Sequence, residues 1–260
     1  MVQQAQDCLN ELKTWFTSLK LTLNARKTET ILFGTSRALR HCQFSGLIID
    51  GCTVLPSKKV RSLGVILDQE LNLESHESKI RANAFNHLRL IARSRRCTSR
   101  ATCPLLVHAF VLSHLNFCPI ILNGISSSLT SRLQAIVNSA MRLVYGKKKS
   151  ESISAQMKKH EWLPVPKLIE IRTLLFLHLS LASEEPRYLF KQLHWYAPRR
   201  ELRSQSSHLL AIPRTKTKIG ERAFTIFAPK LWNKLPLSLR QETSFTKLER
   251  SLTNLFLVSQ

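Results

Sequence analysis

The chain has 260 residues, of which 43% are hydrophobic and 22% charged. That is enough apolar material for one large domain or two of ordinary size, and it excludes wholesale disorder. Thirty-nine Lys and Arg against 17 Asp and Glu give a formal net charge of +22, so the surface carries positive potential and the expected partner is a polyanion.

In chain order, Leu9, Leu12, Trp15, Phe16 and Leu19 recur at three- and four-residue steps and predict an amphipathic helix over 2–20. The period then changes. Segments 21–23, 30–33, 44–49, 53–55 and 60–67 are short, apolar or β-branched, and separated by turn residues such as Asp50-Gly51. They predict a small antiparallel sheet with one covering helix. From Glu74 the pattern is helical: Ile80, Ala84, Leu88 and Ile91 form one stripe over about 75–95, and Leu129, Leu133, Ile136, Val137, Ala140 and Val144 form another. Between them, 105–122 reads LLVHAFVLSHLNFCPIIL. Its length approaches a membrane span, but His108, His114, Asn116 and Pro119 interrupt it, so it is expected to be a buried core helix, apolar all round, with no membrane partner. Further helices are predicted over about 167–181, 223–233 and 245–256, with an irregular Ser-, Arg- and Pro-rich stretch at 194–220.

Six cysteines, at 8, 42, 52, 97, 103 and 118, form no CxxC pair and suit a reducing compartment. The first residues lack a basic segment followed by an apolar one, which predicts nucleus and/or cytoplasm.

The charge is unevenly placed. From 78 to 150 the chain has twelve Lys or Arg and no carboxylate. Lys79, Arg81, Arg89, Arg93, Arg95 and Arg96 fall on or just after the first of these helices, Arg100 follows, and Lys147, Lys148 and Lys149 close the run. Arg89, Arg93 and Arg96 stand at i, i+4 and i+7, a row of donors suited to a phosphate backbone. The plainer alternative is a solvated basic face that keeps the protein soluble.

Catalytic chemistry is sparse. The three aspartates, Asp7, Asp50 and Asp68, fall on a polar helix surface, in a turn and at a strand end, with no pair placed to hold two divalent ions. Cys97, Cys103, His108, His114 and Cys118 match no zinc spacing, and neither a GxSxG nor a GxxxxGK[ST] motif is present. No metal site is expected.

Residues 15–34, WFTSLKLTLNARKTETILFG, resemble the segment that follows the catalytic aspartates in LINE-type (non-LTR) retrotransposon reverse transcriptases. There a helix ending in Trp and Leu is followed by Leu-Asn, Lys-Thr-Glu and an apolar strand ending in Phe-Gly. VRSLGVILDQELN at 60–72 resembles the family's primer grip. The similarity continues in order through HLRLIARSRR at 87–96, LVHAFVLSHLNFC at 106–118, SRLQAIVNSAMRLV at 131–144 and HEWLPV at 160–165. It ends with PRYL at 186–189, YAPRRELRS at 196–204 and GERAFTIFAPKLWNKLPLSLR at 220–240, so it covers essentially the whole chain. Each motif is short; their common order is specific.

The resemblance implies roles residue by residue. Lys27 matches the lysine that protonates the pyrophosphate leaving group, a general acid, unless it is simply a solvated loop lysine. Arg61, Leu63 and Gly64 match the primer grip, where Gly lets a backbone approach nucleic acid closely, unless they mark a plain strand bend. Trp162, Phe224 and Trp232 match positions read as core anchors. The family's first catalytic aspartate and its Tyr/Phe-Ala-Asp-Asp turn, which precede this segment, have no counterpart here. LNFCPII replaces the usual Asp-Tyr-Cys-Asn, and Gly146 with three lysines replaces an Arg/Thr-rich stretch.

The expectation is therefore an α+β protein: a palm remnant with a primer-grip hairpin at 1–72, a basic helical thumb-like bundle at 73–150 and a helical C-terminal domain at 151–260. It resembles a fragment of an RNA-directed DNA polymerase that retains elements for RNA, DNA or RNA–DNA duplex. Without the aspartates that hold Mg2+ in the intact parent, it is expected to be catalytically incompetent alone and to carry no cofactor. The alternative is a domesticated nucleic-acid- or protein-binding module of the same origin.

Overall fold

The computed structural model describes residues 2–99, 101–197 and 208–258. The chain is a mixed α+β protein, mostly helical, with two small antiparallel two-stranded sheets among the described residues. It divides into two compact units, Met1–Lys79 and Ile80–Gln260.

The first unit opens with the predicted helix, Val2–Ser18. It stops where Lys20 takes a left-handed φ of 60°. Leu21 N then donates to Phe16 O and Lys20 N to Thr17 O, at 2.9 and 3.0 Å, the double bond of a Schellman end. This corrects the strand expected at 21–23, because the Leu21 amide is spent on capping. The expected strand at 30–33 also gives way. Thr30 forms one parallel bridge with Pro56, and proline has no N–H with which to extend a ladder. Ser36–His41 forms a short helix that no periodicity announced; Thr35 caps it by accepting from Ala38 N.

The remaining strands form two hairpins rather than one sheet. β1 (Leu47–Ile49) pairs with β2 (Cys52–Val54) around Asp50-Gly51, both at positive φ, the two-residue turn that such a dipeptide predicts. β3 (Lys59–Ser62) pairs with β4 (Val65–Asp68) around Leu63-Gly64. The first helix lies along β1, its Gln6 amide donating to Ile48 O and accepting from Ile48 N, each at 2.9 Å. Its apolar stripe is only partly covered: Leu9 and Phe16 are half-buried, whereas Leu12, Trp15 and Leu19 are exposed.

In the second unit, the helix Glu74–Ser94, whose first residues belong to the first unit, buries Ala84, Leu88 and Ile91 and Ser127–Tyr145 buries Leu129, Leu133, Ile136, Val137, Ala140 and Met141. The expected continuous helix over 105–122 is broken. Thr102–Val107, a π-helical turn His108–Leu112 and Ser113–Asn116 run end to end. Cys118 then turns left-handed at φ 48° before the 3-10 turn Pro119–Leu122. Nor is it buried all round, for Leu105, Phe110 and Phe117 are exposed. No helix among the described residues is long and apolar enough to cross a membrane.

The more deeply buried element is instead Val165–Ser183, which buries Ile169, Ile171, Leu174, Leu175 and Leu177 and leaves Phe176 and Leu179 exposed on its remaining face. With Leu231, Trp232, Leu248 and Leu252 from the helices Phe224–Trp232 and Phe245–Val258 it forms a hydrophobic core. Trp232 and Trp162 are buried, as core anchors should be. Its indole N–H donates to His208 O at 2.9 Å in the case of Trp232, which satisfies the one polar atom of a buried tryptophan. The irregular stretch foreseen at 194–220 falls partly outside the described residues. Its described part holds a Trp195–Leu210 bridge and ends in a short helix, Lys218–Glu221.

Candidate nucleic-acid interface

In the first unit, Lys27 is exposed on the 3-10 turn Ala25–Lys27, which Asn24 caps by accepting from Arg26 N at 3.0 Å. Arg61 is exposed on β3. Leu63 stands at the tip of the β3–β4 hairpin, 93% exposed and at a left-handed φ of 46°, beside Gly64 at 89°. A type I′ turn needs positive φ at both positions, and leucine is a poor choice for the first. Lys79 is half-buried.

The aspartates are engaged elsewhere. Asp7 accepts from Gln3 Nε2 at 2.9 Å and Asp50 pairs with Lys13. Asp68 accepts from the amides of Glu70, Asn72 and Leu73 at 3.2, 2.9 and 2.6 Å. These carboxylates do not fit a Mg2+ site, and no group of three or more His, Cys, Asp and Glu among the described residues could hold a metal ion.

In the second unit the basic run is placed by helix geometry. Arg81, Arg89 and Arg93 are exposed on Glu74–Ser94, Arg89 and Arg93 on the side opposite its buried stripe. The Arg89 Nε donates to its own helix at Phe85 O, 3.3 Å away. Arg96 is a correction to the predicted row. The helix ends at Ser94, whose hydroxyl donates back to Leu90 O and Ile91 O, so Arg96 lies beyond it, in the 3-10 turn Arg95–Cys97. Arg100 lies outside the described residues.

Arg95 and the lysines at 147–149, some fifty residues apart in sequence, are brought together. The Arg95 guanidinium donates to Val144 O at 3.5 Å, placing a cation at the C-terminal end of Ser127–Tyr145, where the helix dipole favours it. Gly146 closes that helix at φ 67°, and the lysines follow. They are not equivalent. Lys147 is half-buried and paired with Glu151 at 2.9 Å, while Glu151 also accepts from Lys148 N at 2.7 Å. The backbone hydrogen bond from Lys148, then the Lys147 ammonium, hold the Glu151 carboxyl below its ordinary range. Lys148 and Lys149 remain exposed.

A second feature of this unit had no counterpart in the sequence reading. His160 stacks on Tyr145 with ring centroids 4.3 Å apart, and His108 meets Trp162 edge-on at 5.5 Å. His108, His160 and Trp162 border a cavity of about 350 Å3 with Leu115 and Val137 in its wall and Asn116, Glu161 and Arg172 among its polar groups. The sequence signal was present in Lys158-Lys159-His160-Glu161-Trp162. That it meets residues 108–116 is a tertiary fact. Comparison of the chain with family models, with curated proteins and with solved structures finds no match.

Proposed function

We propose that this chain is the template–primer-gripping part of a LINE-type reverse transcriptase, a nucleic-acid-binding fragment without polymerase activity of its own. In this reading residues 1–72 are the end of the palm with the β3–β4 hairpin as primer grip, and 73–150 are the thumb. Magnesium belongs to aspartates this sequence does not contain. One observation carries the proposal: in a segment without a carboxylate, Arg89 and Arg93 are exposed on the helical side opposite a buried stripe, and Lys148 and Lys149 are exposed in the turn that follows Ser127–Tyr145. Ordinary solvated faces mix signs, whereas a backbone-gripping face collects one sign and binds whatever the base sequence. The ordered motifs, hairpin included, add the family.

The test is a fluorescence titration with an RNA–DNA duplex across a salt series. Each neutralised phosphate steepens the fall of log affinity with log salt by about 0.9. The double variant Arg89→Glu/Arg93→Glu should therefore flatten the slope by about 2 and weaken every sequence alike. Equal affinity at low and moderate salt overturns the proposal.

A second reading, protein binding by a domesticated module, draws on the exposed Trp15, Leu19, Leu21 and Leu55 of the first unit. It predicts salt-insensitive capture of a protein partner and no duplex binding.

A further inference from the structure

We propose that the cavity bordered by His108, His160 and Trp162 is a base-binding pocket for single-stranded nucleic acid, an inference that rests on the nucleic-acid reading above. Its size of about 350 Å3 stands at the lower end of the ~300–1,000 Å3 typical of small-ligand sites, suited to one planar heterocycle rather than an extended ligand. Its character is that of a stacking platform. The Trp162 indole and the His108 ring stand nearly perpendicular, at 77°, so a flat ring lying against one presents its face or edge to the other. His160, also in its lining, is backed by the Tyr145 ring at 4.3 Å and 26°. Leucine and valine complete the wall, and a base stacked there leaves water.

The polar groups match a base edge rather than an aliphatic ligand. Asn116 offers an amide donor and acceptor, Glu161 an acceptor, and Arg172 a planar fork of donors that Glu249 steadies from 3.2 Å. Glu161 is also held in place by backbone geometry. It sits at a left-handed φ of 56° between the bonds Glu161 N to Lys158 O and Trp162 N to Met157 O, which together end the helix Ser154–Lys159. Glycine is the ordinary residue at such a position, and a glutamate there costs strain.

What selects a strand over a free heterocycle is the charge beside the rings. Lys158 and Lys159 directly precede His160, and Lys148 and Lys149 follow Tyr145 within four residues; all four lysines are exposed. Cations along a path with aromatic rings set beside it are the working parts of single-strand binding: phosphates track the lysines while a base stacks in the pocket.

The experiment uses the full chain and a single strand of about 12 nucleotides, inside the ~4–16 that such sites span, carrying 2-aminopurine at its centre. An abasic strand of the same length and the RNA–DNA duplex are titrated in the same salt. The expected result is quenching of 2-aminopurine and an abasic strand bound roughly 5- to 160-fold more weakly, the range of one base stacked on aromatic side chains. His108→Ala and His160→Ala, both at exposed positions, should each weaken the quench while leaving duplex affinity unchanged. The abasic comparison needs no variant, so it stands even if one fails to fold. Equal affinity for intact and abasic strands, with the duplex still bound, overturns the pocket and leaves the backbone grip intact. Quenching without duplex binding upholds the pocket and removes the duplex grip. Binding of neither strand nor duplex refutes the nucleic-acid reading, and the pocket with it.

Discussion

Asp68 shows how a residue that could serve chemistry is committed to structure. Its carboxylate accepts three backbone amides in the five residues that follow it, and within that stretch Leu71 and Leu73 are both left-handed, at φ 55° and 61°. Two such leucines are conformationally costly, and the amides converging on one anion hold the turn together. Asp68→Ala should lower the unfolding free energy by about 2 kcal/mol, the scale of lost hydrogen bonds to a charged group, read from urea melts. An unchanged midpoint would show that the amides find water instead. Asp68 was legible in the sequence as a strand end, but the bonds it makes were not, because they depend on a left-handed path that no leucine advertises.

At the scale of the element, the run at 102–116 shows why a correct reading of composition can mislead about exposure. Its buried residues, Cys103, Val107, Val111 and Leu115, are spaced by four. Each such step overshoots a 3.6-residue turn by about 40°, so in a plain α-helix the four would wind off one face. The π-helical turn His108–Leu112 is wider and absorbs the overshoot. The apolar residues left over, Leu105, Phe110 and Phe117, then face outward. The same element places His114 edge-on to His87 of Glu74–Ser94, ring centroids 5.3 Å apart. Burial, then the charge of His87, pushes the His114 pKa below its ordinary 6.5, and its Nε2 is buried without a hydrogen-bond partner. In the first unit, burial and then Lys79 do the same to His76. A histidine with a lowered folded pKa binds fewer protons folded than unfolded. The stability it contributes is therefore complete above pH 6.5 and is lost as the pH falls from 6.5 toward the folded value. Urea midpoints should drop between pH 7.5 and 5.5, and less so in a His114→Phe variant. Parallel pH profiles for the variant and the parent chain would dismiss His114 as a source.

Within the second unit as a whole, segments far apart in sequence are fastened at a few points. Arg222 Nε donates to Asn123 O at 2.9 Å, and Asn123 Nδ2 to Arg222 O at 3.4 Å. Asn233 similarly donates to Leu210 O and accepts from Leu210 N, at 2.8 and 2.9 Å. Gly124 makes the first clasp possible. It sits at φ 68°, and a Cβ there would lie 2.5 Å from the Arg222 Cγ. Gly124→Ala should cost at least about 1–2 kcal/mol from the left-handed backbone alone, with the Arg222 side chain displaced as well. A thermal melt checks it, and a midpoint equal to the parent's would mean that the clasp carries no stability.

Local pattern was enough to identify the long helices, the Asp50-Gly51 turn and the basic run. Helical periodicity, turn chemistry and net charge are properties of neighbouring residues, and they survive folding unchanged. Only the tertiary structure decided that the expected sheet is two hairpins, because Leu21 caps a helix and Pro56 cannot extend a ladder. It also decided that Lys147 is neutralised by Glu151, and that His108 and His160, fifty-two residues apart in the sequence, border one cavity. Pairing and burial depend on which distant surfaces meet, and a one-dimensional pattern holds no measure of that.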